Sequence, residues 1–256
     1  MPQNHAISFF STDVLTLNFW SGKEQQSIEL KGELAINFEG PKSCVGFKSR
    51  NNRYQCPYKY EGRVQCPFCG SKDISRIYTR HDFSGYEDLE EEFSQKEFSI
   101  YIVSFGDRVK CGVTQAGRIK DRVKEQGADY YAELMRLKGP EAYEMERLLQ
   151  SHFGFKNSVQ SRTKLKLLGN PCPELLEQAI VEVESAAPFN EYLLDTPIPC
   201  KIDYPVPEKW TIAENINGKI LGAKGPLIFF ENSEGAHVIN IKSKEGTFFD
   251  LEESTK

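Results

Sequence analysis

Four cysteines, spaced Cys44-x11-Cys56-x9-Cys66-Pro67-Phe68-Cys69-Gly70, constrain this chain more than any other feature. Zinc takes four soft donors at tetrahedral corners, and a C-P-x-C-G turn supplies two sulfurs from one bend with backbone amides pointing at them. Cys66 and Cys69 make such a turn, and Cys56 is followed by Pro57 as Cys66 is by Pro67. The fourth position is open to Cys44 or to His81. Four thiolates leave no free coordination position, so the expected ion is a structural Zn²⁺ that staples a small module. The N-terminal segment has no signal-peptide layout, and clustered cysteines in such a chain favour thiolates over disulfides. The expected compartment is therefore cytoplasmic. Cys111, Cys172 and Cys200 stand alone and are expected as buried thiols.

Charge sharpens this picture. The 256 residues carry a net −5 with 39% hydrophobic content, the profile of a soluble globular chain of one large domain or two to three small ones. That average hides two basic blocks. Residues 41–81 sum to +7 and 96–168 to +5, against −3 for 1–40, −6 for 82–95 and −8 for 169–256. A uniformly basic nucleic-acid coater is excluded, whereas a local basic face is not. In the cysteine block, Tyr54, Tyr58 and Tyr60 interleave with Arg53, Lys59 and Arg63, a pattern suited to base stacking with phosphate contact. A solvated charged surface is the plainer alternative. No apolar run reaches 18 residues, so no membrane partner is expected.

The pattern along the chain is α+β. Residues 1–40 alternate as β, 41–81 form the zinc-binding module, and 82–97 read as an acidic linker with too few apolar residues for a core element. Phe98 to Phe105 and Val109 to Val113 flank the turn Gly106-Asp107-Arg108 as a hairpin. A helix is expected from Gln115 to Gln126, N-capped by Thr114 and closed by Gly127. A strand near 132–137 leads into a second helix with Pro140 in its first turn. Residues 156–200 form a helical connection with a helix from Pro173, Pro197 to Pro207 an edge strand or linker, and 201–256 a C-terminal β region.

Between 98 and 155 the order Ser99-Ile100-Tyr101, Cys111-Gly112, Arg122 and Glu146 resembles the GIY-YIG nuclease core. Those nucleases carry a Tyr on each hairpin strand, an Arg on the first helix and a metal-binding Glu on a later one. The string Val109 to Thr114, with Arg118, Arg122 and Gln126-Gly127-Ala128, is similar to one bacterial and archaeal branch, as are Gly218 to Gly225 and His237 to Asn240. That branch is an uncharacterised family in which a cysteine-rich module precedes a GIY-YIG-like domain. The resemblance implies metal-assisted phosphodiester hydrolysis of DNA or RNA. Glu146 would hold Mg²⁺ or Mn²⁺, Arg122 would stabilise phosphoryl charge, and Tyr101 would orient or deprotonate water. Lys110 stands where the family has its second tyrosine.

Read physically, Arg118 and Arg122 stand at i,i+4, where two guanidiniums repel unless an anion lies between them, and Gln126 is one turn further. All three are candidate phosphate binders. Glu146 on the rim of an apolar stripe needs a cation or an Arg partner, and an Arg122–Glu146 brace between helices is the structural alternative. His152, near the centre of that stripe, reads as a core histidine. Two further functions compete with the nuclease: a non-catalytic nucleic-acid binder, for instance of structured RNA, and an enzyme on another phosphate-bearing substrate.

Overall fold

The computed structural model describes residues 4–252 except 13, 51, 81, 82 and 196. The chain is α+β and divides into two compact units, Met1–Tyr86 with Pro207–Lys256, and Glu87–Val206.

The first unit opens as a meander of β1 (Asn4–Ser11), β2 (Leu15–Ser21) and β3 (Glu24–Glu29), followed by β4 (Glu33–Glu39). Ser21 pairs with Glu24 across a two-residue turn, where Gly22 takes φ 59°. Such turns need a positive φ, which glycine adopts freely. The cysteine module follows as a short hairpin, β5 (Phe47–Ser49) with β6 (Asn52–Tyr54), and two one-and-a-half-turn helices, α1 (Pro67–Lys72) and α2 (Ser75–Arg80). Gly46 is required here: a Cβ on it would sit 1.8 Å from the Tyr54 carbonyl oxygen, at a φ of 87°.

The second unit begins with α3 (Glu87–Gln95), in the stretch expected as a linker. A single buried residue explains the difference. Phe93 packs on Phe98 and Tyr143 with ring centroids 5.4 Å away, and Gly139 lets the α3 backbone close in, since a Cβ there would meet the Phe93 carbonyl oxygen at 2.3 Å. The hairpin is β7 (Glu97–Phe105) and β8 (Arg108–Gln115), then come α4 (Ile119–Gln126), β9 (Tyr130–Lys138) and α5 (Gly139–Phe153). The unit closes with α6 (Ser161–Lys166), α7 (Pro173–Glu184) and the two-residue β10 (Cys200–Lys201). Its sheet runs β10-β9-β7-β8, antiparallel throughout, so the Pro-rich stretch does supply an edge strand. Tyr101, Val103 and Phe105 alternate along β7 and pack on Val123 of α4, while α5 and α7 cover the same strands. Helix α4 starts four residues later than expected, because β8 keeps pairing with β7 as far as Gln115 and Thr114 sits buried in the ladder opposite Ser99. Gly127, at φ 72°, closes it.

The chain then returns to the first unit as β11 (Thr211–Ile212), β12 (Ile216–Lys224), β13 (Leu227–Asn232), β14 (Gly235–Asn240) and β15 (Phe248–Glu252). The two terminal β regions, expected as separate segments, interleave in one nine-stranded sheet of order β11-β14-β13-β12-β4-β15-β1-β2-β3. Strand β4 lies between β12 and β15, each contributed by the distant end of the chain. One apolar layer unites both ends, including Leu17, Phe19, Ile36, Ile216, Phe230 and Phe249.

Candidate functional site

The candidate metal centre is assembled from two short-range devices. Cys44 and Cys56 bracket the β5–β6 hairpin, whereas Cys66 caps α1 and Cys69 lies within its first turn. The four sulfurs lie within 4.8 Å of one another and all four residues are buried. Cys56 and Cys66 place their sulfurs 3.8 Å apart. Tetrahedral Zn²⁺ with Zn–S bonds of about 2.3 Å needs corner separations of about 3.8 Å. Backbone amides support the sulfurs, Cys66 N donating to Cys44 Sγ at 3.2 Å and Cys69 N to Cys66 Sγ at 3.5 Å. Burial pushes the thiols of Cys44 and Cys69 up. Burial also acts on Cys56, but the amides of Tyr60 and Tyr58 and the neighbouring sulfurs outweigh it and bring that thiol down to about 7. Four thiolates this close repel strongly, so the donor set is that of a structural metal site. Cys44 completes it; His81 lies outside the described residues.

Around the centre, Asp73 ties the module together. Its carboxylate accepts from Lys48 N at 3.0 Å, Gln65 Nε2 at 2.8 Å, and both the amide and the hydroxyl of Ser75. Burial acts to raise its pKa, but these donors hold it below the usual carboxylate value. Tyr54, Tyr58 and Tyr60 are all exposed, Tyr58 by 66%, while the Tyr54 ring stacks on Phe47 and the Tyr58 ring meets Phe68 edge-on.

In the second unit the four residues of interest converge. Tyr101 on β7 pairs with Gly112 on β8, and Val103 pairs with Lys110, so Tyr101, Lys110 and Gly112 share one face of the hairpin. Gly112 leaves the room they occupy: a Cβ on it would stand 2.8 Å from Tyr101 Oη and 3.1 Å from Lys110 Nζ. Gln126 Nε2 of α4 donates to the hydroxyl of the fully buried Tyr101 at 2.6 Å. Burial pushes the Tyr101 phenol up to about 12, against the pull of the Arg122 guanidinium and the Gln126 hydrogen bond. Burial lowers the Lys110 ammonium, the Arg122 charge adds to this, and Glu146 opposes both. Burial raises the Glu146 carboxyl while Lys110 pulls it back. Gln150 donates to Glu146 Oε1 at 3.1 Å from one turn along α5.

Several expectations change at this site. The anion between Arg118 and Arg122 is Glu125, whose two oxygens take Arg118 Nη2 at 3.4 Å and Arg122 Nη1 at 3.1 Å. Arg122 thus pairs along its own helix and does not brace against Glu146. Glu125 lies one residue from Gln126 on the same helix, and its i,i+3 spacing to Arg122 was the available signal. Gln126 gives one amide hydrogen to Tyr101, so it also positions the phenol. Lys164, which nothing in its local sequence singles out, donates to the Gln126 carbonyl at 2.7 Å over the Phe105 ring. His152 is exposed in the last turn of α5, edged by the rings of Phe153 and Phe189, and is not a core histidine. Of the three isolated cysteines only Cys111 is buried; Cys172 is half-buried and Cys200 exposed. No helix among the described residues is long and apolar enough to cross a membrane.

No curated protein and no solved structure matches the chain. Residues 32–248, which run from the β-sheet unit through the cysteine centre and the Tyr101–Glu146 cluster to the last strands, match one family, and the chain belongs to it: DUF2797, described as "Protein of unknown function".

Proposed function

We propose that the protein is a metal-dependent phosphodiesterase acting on DNA or RNA through a GIY-YIG-like site, with a structural Zn²⁺ in its cysteine module. One observation carries this reading: Tyr101, Lys110, Arg122 and Glu146, from two strands and two helices, lie close enough for each charge to shift the titration of its neighbours. The order β7-β8-α4-β9-α5 supports it, since it puts the tyrosine on the hairpin, the arginine on the first helix and the glutamate on a later one.

The side chains suit distinct tasks. Arg122, half exposed, would meet a phosphate by releasing Glu125, to which it pairs at 3.1 Å. Arg118 would add a second contact in the same way. With its pKa near 12, Tyr101 keeps its proton at neutral pH, which favours orienting a water or phosphoryl oxygen over deprotonating it. Lys110 contributes a cation beside it. Glu146 fits Mg²⁺ or Mn²⁺ as a single half-buried carboxylate, since Mg²⁺ is commonly held by one or two carboxylates together with water and phosphate oxygens. When bound, such an ion polarises the phosphate and neutralises charge on the leaving oxygen.

Purified protein with Mg²⁺ or Mn²⁺ is expected to cut single- or double-stranded DNA or RNA. Glu146→Ala and Arg122→Ala should each slow cleavage by about a hundredfold or more. Absence of any cut product across these substrates, with Glu146→Ala indistinguishable from wild type, sinks the reading. The tyrosine-to-lysine departure favours a second reading, a binding protein that kept the site and lost the chemistry. That protein would bind nucleic acid equally well in Mg²⁺-free buffer, with affinity falling steeply as salt rises.

A further inference from the structure

Beside the metal centre, on the face of the first unit, lies a cavity of about 210 Å³. It is separate from the Tyr101–Glu146 cluster in residues and in unit. Three rings line it. His5 stacks on Phe248 with centroids 4.7 Å apart and planes at 21°, and Trp20 forms another part of the wall. Their polar edges are already engaged. His5 Nε2 lies 3.2 Å from the Ser43 carbonyl and 3.0 Å from that of Gly246, and Trp20 Nε1 donates to Val45 O at 3.0 Å. The rings are therefore held in place by their own backbone contacts, and Ser43 and Gln55 add polar groups to the lining. The volume falls below the range of about 300–1,000 Å³ of drug-sized ligand pockets, which suits a single planar heterocycle.

The mouth has a different character. Lys59 lines it, exposed, in the turn that begins at the metal ligand Cys56. Its backbone is left-handed, with φ 45°, a conformation unusual for a side-chain-bearing residue. The exposed rings of Tyr58 and Tyr60 flank Lys59 in the chain, and exposed Tyr54 precedes the lining residue Gln55. The surrounding block, residues 41–81, carries +7. A slot lined by rings and a cation, with exposed tyrosines next to its lining residues in the chain and a basic block around it, matches the chemistry of a nucleotide base with its phosphates.

We propose that this cavity takes one unpaired base of a single-stranded nucleic acid, with Lys59 on the adjoining phosphate and Tyr58 or Tyr60 beneath the next base. The inference shares the nucleic-acid ligand of the preceding section, but it assigns a binding site that does not depend on the Tyr101–Glu146 cluster. The structural metal would then act as a scaffold, because Cys44 and Cys56 form part of the cavity wall.

Trp20 makes the idea measurable. The chain has two tryptophans, so full-length protein carrying Trp210→Phe reports from Trp20 alone. In Mg²⁺-free buffer, a short single-stranded oligonucleotide should quench that emission. A free nucleoside monophosphate should do so more weakly, as it lacks the contacts to the tyrosines. Lys59→Asn removes the cation while tolerating the left-handed backbone. His5→Gln keeps a donor for the Ser43 and Gly246 carbonyls while removing the ring. Each should weaken oligonucleotide binding by about tenfold, the size of one lost stacking or charge contact. Unchanged metal content and circular dichroism would confirm that both variants fold. Arg122→Ala should leave the quench intact even where cleavage is lost, so either site can fail alone. The proposal is overturned by binding, seen as anisotropy, that leaves Trp20 emission unchanged. It is equally overturned by folded Lys59→Asn and His5→Gln variants of wild-type affinity, by a monophosphate that binds as tightly as the strand, or by no binding at all.

Discussion

The cysteine centre and the Tyr101–Glu146 cluster are both groups of ionisable side chains gathered on short elements, yet they are built on opposite terms. At the cysteine centre every donor comes from the chain, all four residues are buried, and backbone amides already point at the sulfurs. Nothing remains for a substrate to complete. The other cluster holds a phenol, an ammonium and a carboxylate that burial shifts away from their ordinary titration, beside a half-exposed guanidinium. A group left uncomfortable by its surroundings becomes comfortable only when a ligand arrives, and perturbed groups of this kind concentrate where chemistry or binding happens. The first centre reads as architecture and the second as a site.

The sharpest way to break this contrast is to remove the metal. Cys69 is fully buried, so Cys69→Ser should abolish stoichiometric metal in elemental analysis and lower stability by several kcal/mol. The apo form of the wild-type chain should behave alike, with the unfolding midpoint restored by added Zn²⁺. If metal-free protein melts where metal-loaded protein does, the centre is not structural.

How far the sequence alone reaches differs between the two centres for a physical reason. Cysteine spacing is local, and a turn of four residues dictates where Cys66 and Cys69 point. The β7–β8 hairpin is local too, as are the breaks at Gly127 and Pro140, and these place Tyr101, Lys110, Arg122 and Glu146 on their elements. Acidic α3 escapes such a reading because its only buried residue, Phe93, gains its value from Phe98 and Tyr143. Pairing of β4 with β12 and β15 spans about two hundred residues, and nothing in a strand's own alternation names its partner. Glu125 between the two arginines shows the same limit at side-chain scale. The helical spacing allowed the contact, but the preference for Glu125 over an outside anion is decided by the fold.

Neutralising the second cluster tests the other half of the contrast. A carboxyl whose folded pKa is raised costs stability progressively as pH climbs from its unfolded value through its folded one, so the ionised Glu146 carboxylate is a destabilising charge. A lysine whose folded pKa is lowered carries its cost at every pH below that value, so the Lys110 charge is also unfavourable at neutrality. Each charge partly offsets the other. The double variant Lys110→Met with Glu146→Gln should therefore be as stable as wild type or up to about 1–4 kcal/mol more stable, as found when buried charge pairs give way to neutral groups. Each single variant should be less stable than the double, and all three should lose activity. Urea unfolding of the four proteins closes the cycle. A double variant less stable than both singles would mean that the cluster is structural after all.

The smallest effect comes from the residue that holds the cysteine module together, and its sign is opposite. Asp73 accepts four hydrogen bonds, and its carboxyl titrates below its ordinary value of 3.8. A carboxylate of this kind contributes stability that is present above the unfolded pKa and fades as pH falls through the folded one. Asp73→Asn turns one acceptor into a donor facing either the Lys48 and Gln65 amides, which share Oδ2, or the Ser75 amide at Oδ1. The expected loss is about 1–3 kcal/mol at neutral pH. The gap between wild type and variant should stay constant down to about pH 5, narrow below pH 4, and nearly close where Asp73 itself is protonated. Unfolding midpoints measured across that range carry the test. A gap that widened on acidification would assign Asp73 the strained behaviour of Glu146 and erase the distinction between a scaffold that titrates low and a site that titrates high.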